Sequence, residues 1–189
     1  NTQLPFKQES SLPTTKQDAE ILGKYIRLKL GSLTKKELLE LEKQVEPTNL
    51  SWAEAKRFNL LGTYYMHNAS DTPVKEQRFQ KAIKYFDTAK ILWENLGNKN
   101  SVTGELTNIA ITYALSNDFL KSEEQFENTL KYIQNFRTSP LSNLRTLLSY
   151  ASIQQNIENF DKARELYDEC YKVQGAKEHQ NFLVKVSFN

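Results

Sequence analysis

Few side chains in this sequence are of the types that perform catalysis. There are two histidines, His67 and His179, which lie 112 residues apart (179 − 67), and a single cysteine, Cys170. No HExxH or CxxC metal spacing, GxSxG nucleophile elbow or glycine-rich phosphate loop is present. We expect Cys170 to be a buried, unreactive side chain. Since no nucleophile–base set can be named, we predict a non-enzymatic protein without a metal or cofactor.

The chain instead repeats a phrase of small and aromatic residues three times. The copies contain Leu61-Gly62, Tyr65, Ala82 and Phe86; Ile109-Ala110, Tyr113, Ser122 and Phe126; and Tyr150-Ala151, Ala163 and Tyr167. The small residue of the second half recurs at 82, 122 and 163, which gives spacings of 40 and 41 residues (122 − 82 and 163 − 122). Such a period is typical of stacked supersecondary units. The sequence therefore predicts an array of helical hairpins.

Composition agrees with a folded helical protein. The 189 residues are 39% apolar and 25% charged, with only 6 Gly and 5 Pro. The 25 basic and 23 acidic residues are interspersed and give a net charge of +2, which argues against direct nucleic-acid binding. No apolar run approaches the roughly 18 residues of a membrane span. The compartment is left open; we expect a soluble protein, with a cytoplasmic location favoured over an exported one.

Hydrophobic spacing, capping signals and breakers predict where the helices lie. An irregular lead-in over 1–15 precedes an N-terminal helical hairpin over 16–46, whose second helix opens with a Thr34–Glu37 capping box. The predicted helices are 16–30, one that starts after Thr34 and stops before Pro47, 52–67, 74–96, 101–116, 119–135, 141–155 and 160–173. Gly97 is a helix stop, and Pro140 stands at a helix start. Residues 174–189 form a C-terminal tail.

The repeated phrase resembles the tetratricopeptide repeat. That family places Leu-Gly and then a tyrosine on the first helix of a hairpin, and Ala, an aromatic residue and a small residue on the second. The resemblance covers about 53–173, with copies over 52–97, 101–135 and 141–173, although Gln154 replaces the tyrosine of the third copy. The period near 40 is similar to that of arrays in bacterial signalling proteins and kinesin light chains. The resemblance implies an all-α, right-handed α-α superhelix of three hairpins, with the N-terminal hairpin as its cap.

In this family the first helices line a concave groove that holds a partner. The residues that the resemblance turns toward the groove are Lys56, Asn59, Thr63 and Met66 in the first copy, Thr107, Asn108, Ile111, Ala114 and Leu115 in the second, and Arg145, Leu148, Ser152 and Gln155 in the third. Asparagine can donate to and accept from a peptide backbone, and Lys56 and Arg145 could pair with carboxylates. The alternative is that these are merely solvated residues.

The family's clamp for a C-terminal carboxylate, a Lys-Asn-Asn-Lys-Arg set, is not expected here. Asn108 matches one asparagine and Arg145 could stand for one lysine. However, Asn59 and Thr63 replace the first lysine and asparagine, and Ser149 replaces the arginine.

The leading functional hypothesis is a protein-interaction module that binds a peptide or partner segment in the groove. A second hypothesis is the sensor or regulatory domain of a longer, peptide-sensing signalling or transcription protein; an enzyme is the third. The tail is too apolar to stay free, so we expect it to pack on the last repeat or on a second copy of the chain, giving a homodimer. Its apolar residues are Phe182, Leu183, Val184, Val186 and Phe188.

Overall fold

A computed structural model of the chain describes residues 15–29, 31–43, 47, 50–67 and 75–173. Those residues form eight α-helices and no strand, which confirms the all-α prediction. The helices are α1 Lys16–Lys29, α2 Lys35–Glu42, α3 Trp52–His67, α4 Lys75–Asn95, α5 Lys99–Leu115, α6 Phe119–Phe136, α7 Pro140–Asn156 and α8 Phe160–Lys172. Apart from the end of α2, each boundary lies within two residues of its predicted position. The predicted tail and most of the lead-in lie outside the described residues.

The odd-numbered helices form a continuous row. Helix α1 contacts α3, α3 contacts α5, and α5 contacts α7. The even-numbered helices pack beside this row: α2 packs on α3, α4 on α3 and α5, α6 on α5 and α7, and α8 on α7. Because the row is built from the first helices of successive hairpins, its side chains form one shared surface. We call this set of four helices the odd-helix row.

The hairpins close tightly because small residues stand where their helices cross. A Cβ atom added to Gly62 on α3 would lie 2.7 Å from the Phe86 ring of α4, so the ring rests directly on the α3 backbone. The equivalent small residues on the second helices, Ala82, Ser122 and Ala163, are all buried. Close packing of this kind leaves little room for extra atoms.

Three of the turns between helices share one backbone geometry. The residue before the N-cap has a positive φ in each: Gly97 at 74°, Asn117 at 65° and Glu158 at 64°. The next backbone N–H donates to a carbonyl five residues earlier, at 2.9 Å in all three turns. This hydrogen bond satisfies a carbonyl at the end of the preceding helix. The N-cap side chains Asn98 and Asp118 then accept from the backbone of the following helix.

A polar cluster fastens α2 to the first hairpin. The Glu42 carboxylate accepts from the Tyr65 hydroxyl at 2.8 Å and the Tyr85 hydroxyl at 2.7 Å, and it pairs with Lys81. Burial alone would raise the pKa of Glu42, but the hydrogen bonds from Lys81, Tyr85 and Tyr65 hold that pKa below its ordinary value. At the other end, α2 has the predicted capping box between Thr34 and Glu37.

Candidate functional site: a groove along the odd-helix row

Two adjoining clefts open on the odd-helix row. The first, the polar cleft, has a volume of about 320 Å³ and is lined by residues of α1, α3, α5 and α7. The second, the apolar cleft, has a volume of about 420 Å³ and lies between α5 and α7. Ile111 and Arg145 line both clefts. The two clefts therefore form one groove, which runs from Tyr25 on α1 to Asn156 on α7.

Most residues that the resemblance turns toward a groove lie in these clefts. The polar cleft contains Lys56, Asn59, Thr63, Met66, Asn108, Ile111 and Arg145. The apolar cleft contains Ile111, Leu115, Arg145, Leu148 and Ser152. These ten residues come from three helices far apart in the sequence, and the odd-helix row brings them onto one surface.

Three of the expected residues do not line either cleft. Thr107 lies in the contact between α5 and α7, where its hydroxyl oxygen is 2.8 Å from that of Thr146. Ala114 is buried. Gln155 is turned toward α8, where its side-chain oxygen accepts from the Tyr167 hydroxyl at 3.0 Å. Thr107 is displaced because α7 packs against α5 at this position, so its side chain lies in the contact between the two helices instead of in a cleft.

The floor of the polar cleft holds a buried carboxylate that the resemblance does not point to. Glu105 takes a hydrogen bond from the Asn59 amide nitrogen, which is 2.9 Å from each carboxylate oxygen. The Trp93 indole N–H donates to it at 3.2 Å, and the Asn108 amide nitrogen donates at 3.4 Å. Burial raises the pKa of Glu105, although the bond from Asn59 and the charge of Lys56 oppose that rise. In the sequence, Glu105 could have been noticed only because it is the single acidic residue of α5.

Two cationic side chains line the same cleft. The Lys56 ammonium lies over the rings of Tyr25 at 5.2 Å and of Trp52 and Trp93 at 5.9 Å, distances that fit cation–π contacts. Arg145, on α7, also lines the cleft and is exposed. The polar cleft therefore combines two cations at its sides with a carboxylate at its floor that is already bound by three neighbouring donors.

The two described residues with potentially catalytic side chains, His67 and Cys170, lie on different helices, α3 and α8. His67 lines the polar cleft, and His179 lies outside the described residues. Cys170 is buried, as predicted, and burial raises the pKa of its thiol to about 12, so it is protonated at neutral pH. In the part of the chain that the structure describes, no cluster of three or more potential metal ligands is found.

No protein-family model, curated protein or solved structure matches this chain. Among the helices described above, none combines the length and hydrophobicity needed to cross a membrane. The functional conclusion therefore rests on the groove itself.

Proposed function

We propose that this chain is a non-enzymatic protein-interaction module built from tetratricopeptide-like hairpins, and that it binds an extended peptide or partner segment in the groove. The observation that supports this most is the joining of the polar and apolar clefts along the odd-helix row. A ligand that fills both must combine hydrogen-bonding groups with an apolar side chain over a short distance. A polypeptide has that chemistry.

The two clefts suit different parts of such a segment. Amide groups on the polar floor and the cations Lys56 and Arg145 fit a peptide backbone and a carboxylate. Leu115, Leu148 and Ile153 give the apolar cleft a surface for an aliphatic or aromatic side chain. Both volumes lie in the range of small-ligand sites. We therefore expect bound segments to pair an apolar residue with an acidic one.

A library of random nonapeptides, panned on the whole chain, tests this function. Enriched peptides should carry the apolar–acidic pairing and should compete with one another for one site. Ser152→Trp, which places a large ring in the apolar cleft, should abolish capture of the enriched peptides. The matched control is Glu165→Trp on the exposed face of α8.

The control should bind as the unmodified chain does, and both variants should keep their helical circular-dichroism signal. If no peptide is enriched, or if Ser152→Trp captures peptides as well as Glu165→Trp does, the groove is not the binding site.

A further inference from the structure

We propose that Glu105 is a positioning residue of the groove, which turns the amide nitrogens of Asn59 and Asn108 toward itself and leaves their oxygens to accept N–H groups from a bound peptide backbone. This inference rests on the proposed function and names the ligand chemistry that the polar cleft selects.

The geometry fixes the Asn59 amide in one orientation. Its nitrogen lies 2.9 Å from both oxygens of Glu105. A half-turn of the amide would place its oxygen against the ionised carboxylate, where two acceptors would face each other. The Asn108 nitrogen also donates to Glu105, so both amides are held by the same group.

This orientation leaves the Asn59 amide oxygen as an acceptor without a donor. The Asn59 amide oxygen is buried, and no described residue donates to it, while the side chain as a whole is only 6% exposed and lines the polar cleft. Buried polar atoms in folded proteins are nearly always paired. Asn108, which is 7% exposed, likewise receives no hydrogen bond on its amide oxygen from a described residue. Since the Asn59 oxygen is closed to solvent, a ligand must shift neighbouring side chains to reach it.

The charges around the cleft decide which donor fits. An ammonium group would bring a third cation into a cleft that Lys56 and Arg145 already line, and like charges repel. A backbone N–H carries no net charge and avoids this repulsion. Helix packing alone does not require a carboxylate at this position. In the contact between α5 and α7, the residue equivalent to Glu105 in the repeat is Thr146. We therefore assign the polar cleft to the main chain of an extended peptide, with N–H groups facing α3 and α5.

The experiment uses one enriched nonapeptide and a set of analogues in which each backbone nitrogen is methylated in turn. Against the unmodified chain, methylation at one or two positions should weaken binding by about tenfold, since each lost hydrogen bond leaves a buried acceptor unpaired. In Glu105→Gln, the new amide can donate to Asn59 and let it turn. The parent peptide should bind more weakly to this variant, and the sensitivity to methylation at those positions should disappear.

Two further variants keep the test interpretable. Thr146→Val, outside both clefts, should retain the full methylation pattern. If Glu105→Gln does not fold, Asn108→Leu removes one acceptor while Asn59 and Trp93 still bind Glu105, and it should erase the sensitivity at one position. An unchanged methylation penalty in the folded variant overturns the positioning role alone. Failure to enrich any peptide on the unmodified chain overturns the proposed function, and this inference with it.

Discussion

The contact between α3 and α5 and the contact between α5 and α7 are built alike but carry different chemistry. In the first, Asn59 donates to the buried carboxylate of Glu105. In the second, Thr107 and Thr146 join through two hydroxyl groups. A neutral pair is thus enough to join neighbouring helices of this row. The carboxylate in the first contact adds a charge that burial penalises, which is why we assign it a role in the cleft above it.

The repeat register makes these two contacts equivalent. The small residue of the first helix advances 48 residues from Gly62 to Ala110 and 41 from Ala110 to Ala151 (110 − 62 and 151 − 110). Adding 48 takes position 59 to position 107, and adding 41 takes position 105 to position 146. The difference between the contacts is therefore a difference of residue type at matching positions.

The largest effect should come from removing the donor of the charged contact. Asn59→Leu leaves Glu105 buried without its principal partner and should lower the free energy of unfolding by about 2–3 kcal/mol. Thr107→Val, the matched change in the neutral contact, should cost about 0.5–1.5 kcal/mol. Urea unfolding measures both. In the double variant Asn59→Thr/Glu105→Thr, which copies the neutral contact, part of the loss should be recovered, because the buried charge is removed while the Trp93 indole N–H loses its acceptor. Equal losses in the two single variants would show that the charged and the neutral contact contribute alike.

The first helices of the first two repeats also differ at the point where each crosses its partner helix. Position 110 already holds an alanine, whereas a methyl group at Gly62 would meet the Phe86 ring at 2.7 Å. Gly62→Ala should therefore destabilise the chain by about 1–3 kcal/mol in a thermal melt. Gly23→Ala on α1, where nothing lies within 4 Å of the added atom, is the control and should stabilise by up to about 1 kcal/mol. A neutral or stabilising Gly62→Ala would show that Phe86 can move aside.

The pH dependence of stability should separate the contacts as well. The pKa of Glu105 is raised in the folded chain, so the folded state binds more protons than the unfolded state above the ordinary carboxyl value of 4.5. The Glu105 contribution to stability is present below that value and is lost as pH rises through the raised pKa. Glu105→Gln should remove this decline. Thr146→Val should change the free energy of unfolding equally at all pH values. An unchanged pH dependence in Glu105→Gln would show that the raised pKa of Glu105 does not cause the decline.

The smallest expected effect lies in the turns after α5 and α7. Asn117 and Glu158 both have φ near 65° (65° and 64°), but asparagine tolerates this left-handed region better than glutamate does. Glu158→Gly should stabilise the chain by about 0.5–1 kcal/mol, and Asn117→Gly should gain less. Glu165→Gly, inside α8, serves as the control and should destabilise. Chemical unfolding that ranks Asn117→Gly above Glu158→Gly would contradict this.

Local signals in the sequence were sufficient for the helices, because caps and stops such as Thr34 and Gly97 act within one turn of the chain. The burial of Glu105 could not be predicted from local signals. Its spacing from Asn108 places both on one side of α5, but its burial depends on Asn59, 46 residues away. The displacement of Thr107 likewise depends on how closely α7 approaches α5. Neighbouring helices, not the helix's own residues, decide these details.

Binding of a peptide in the groove can be tested by one calorimetric titration. An enriched nonapeptide is titrated into Arg145→Ala, which alters the residue shared by both clefts, and into Arg164→Ala, an exposed arginine of α8 outside them. We expect Arg145→Ala to raise Kd by about three- to tenfold, as for one ordinary lost hydrogen bond at an exposed side chain, and Arg164→Ala to match the unmodified chain. An unchanged Kd for Arg145→Ala together with a raised Kd for Arg164→Ala would show that the peptide does not bind in the groove.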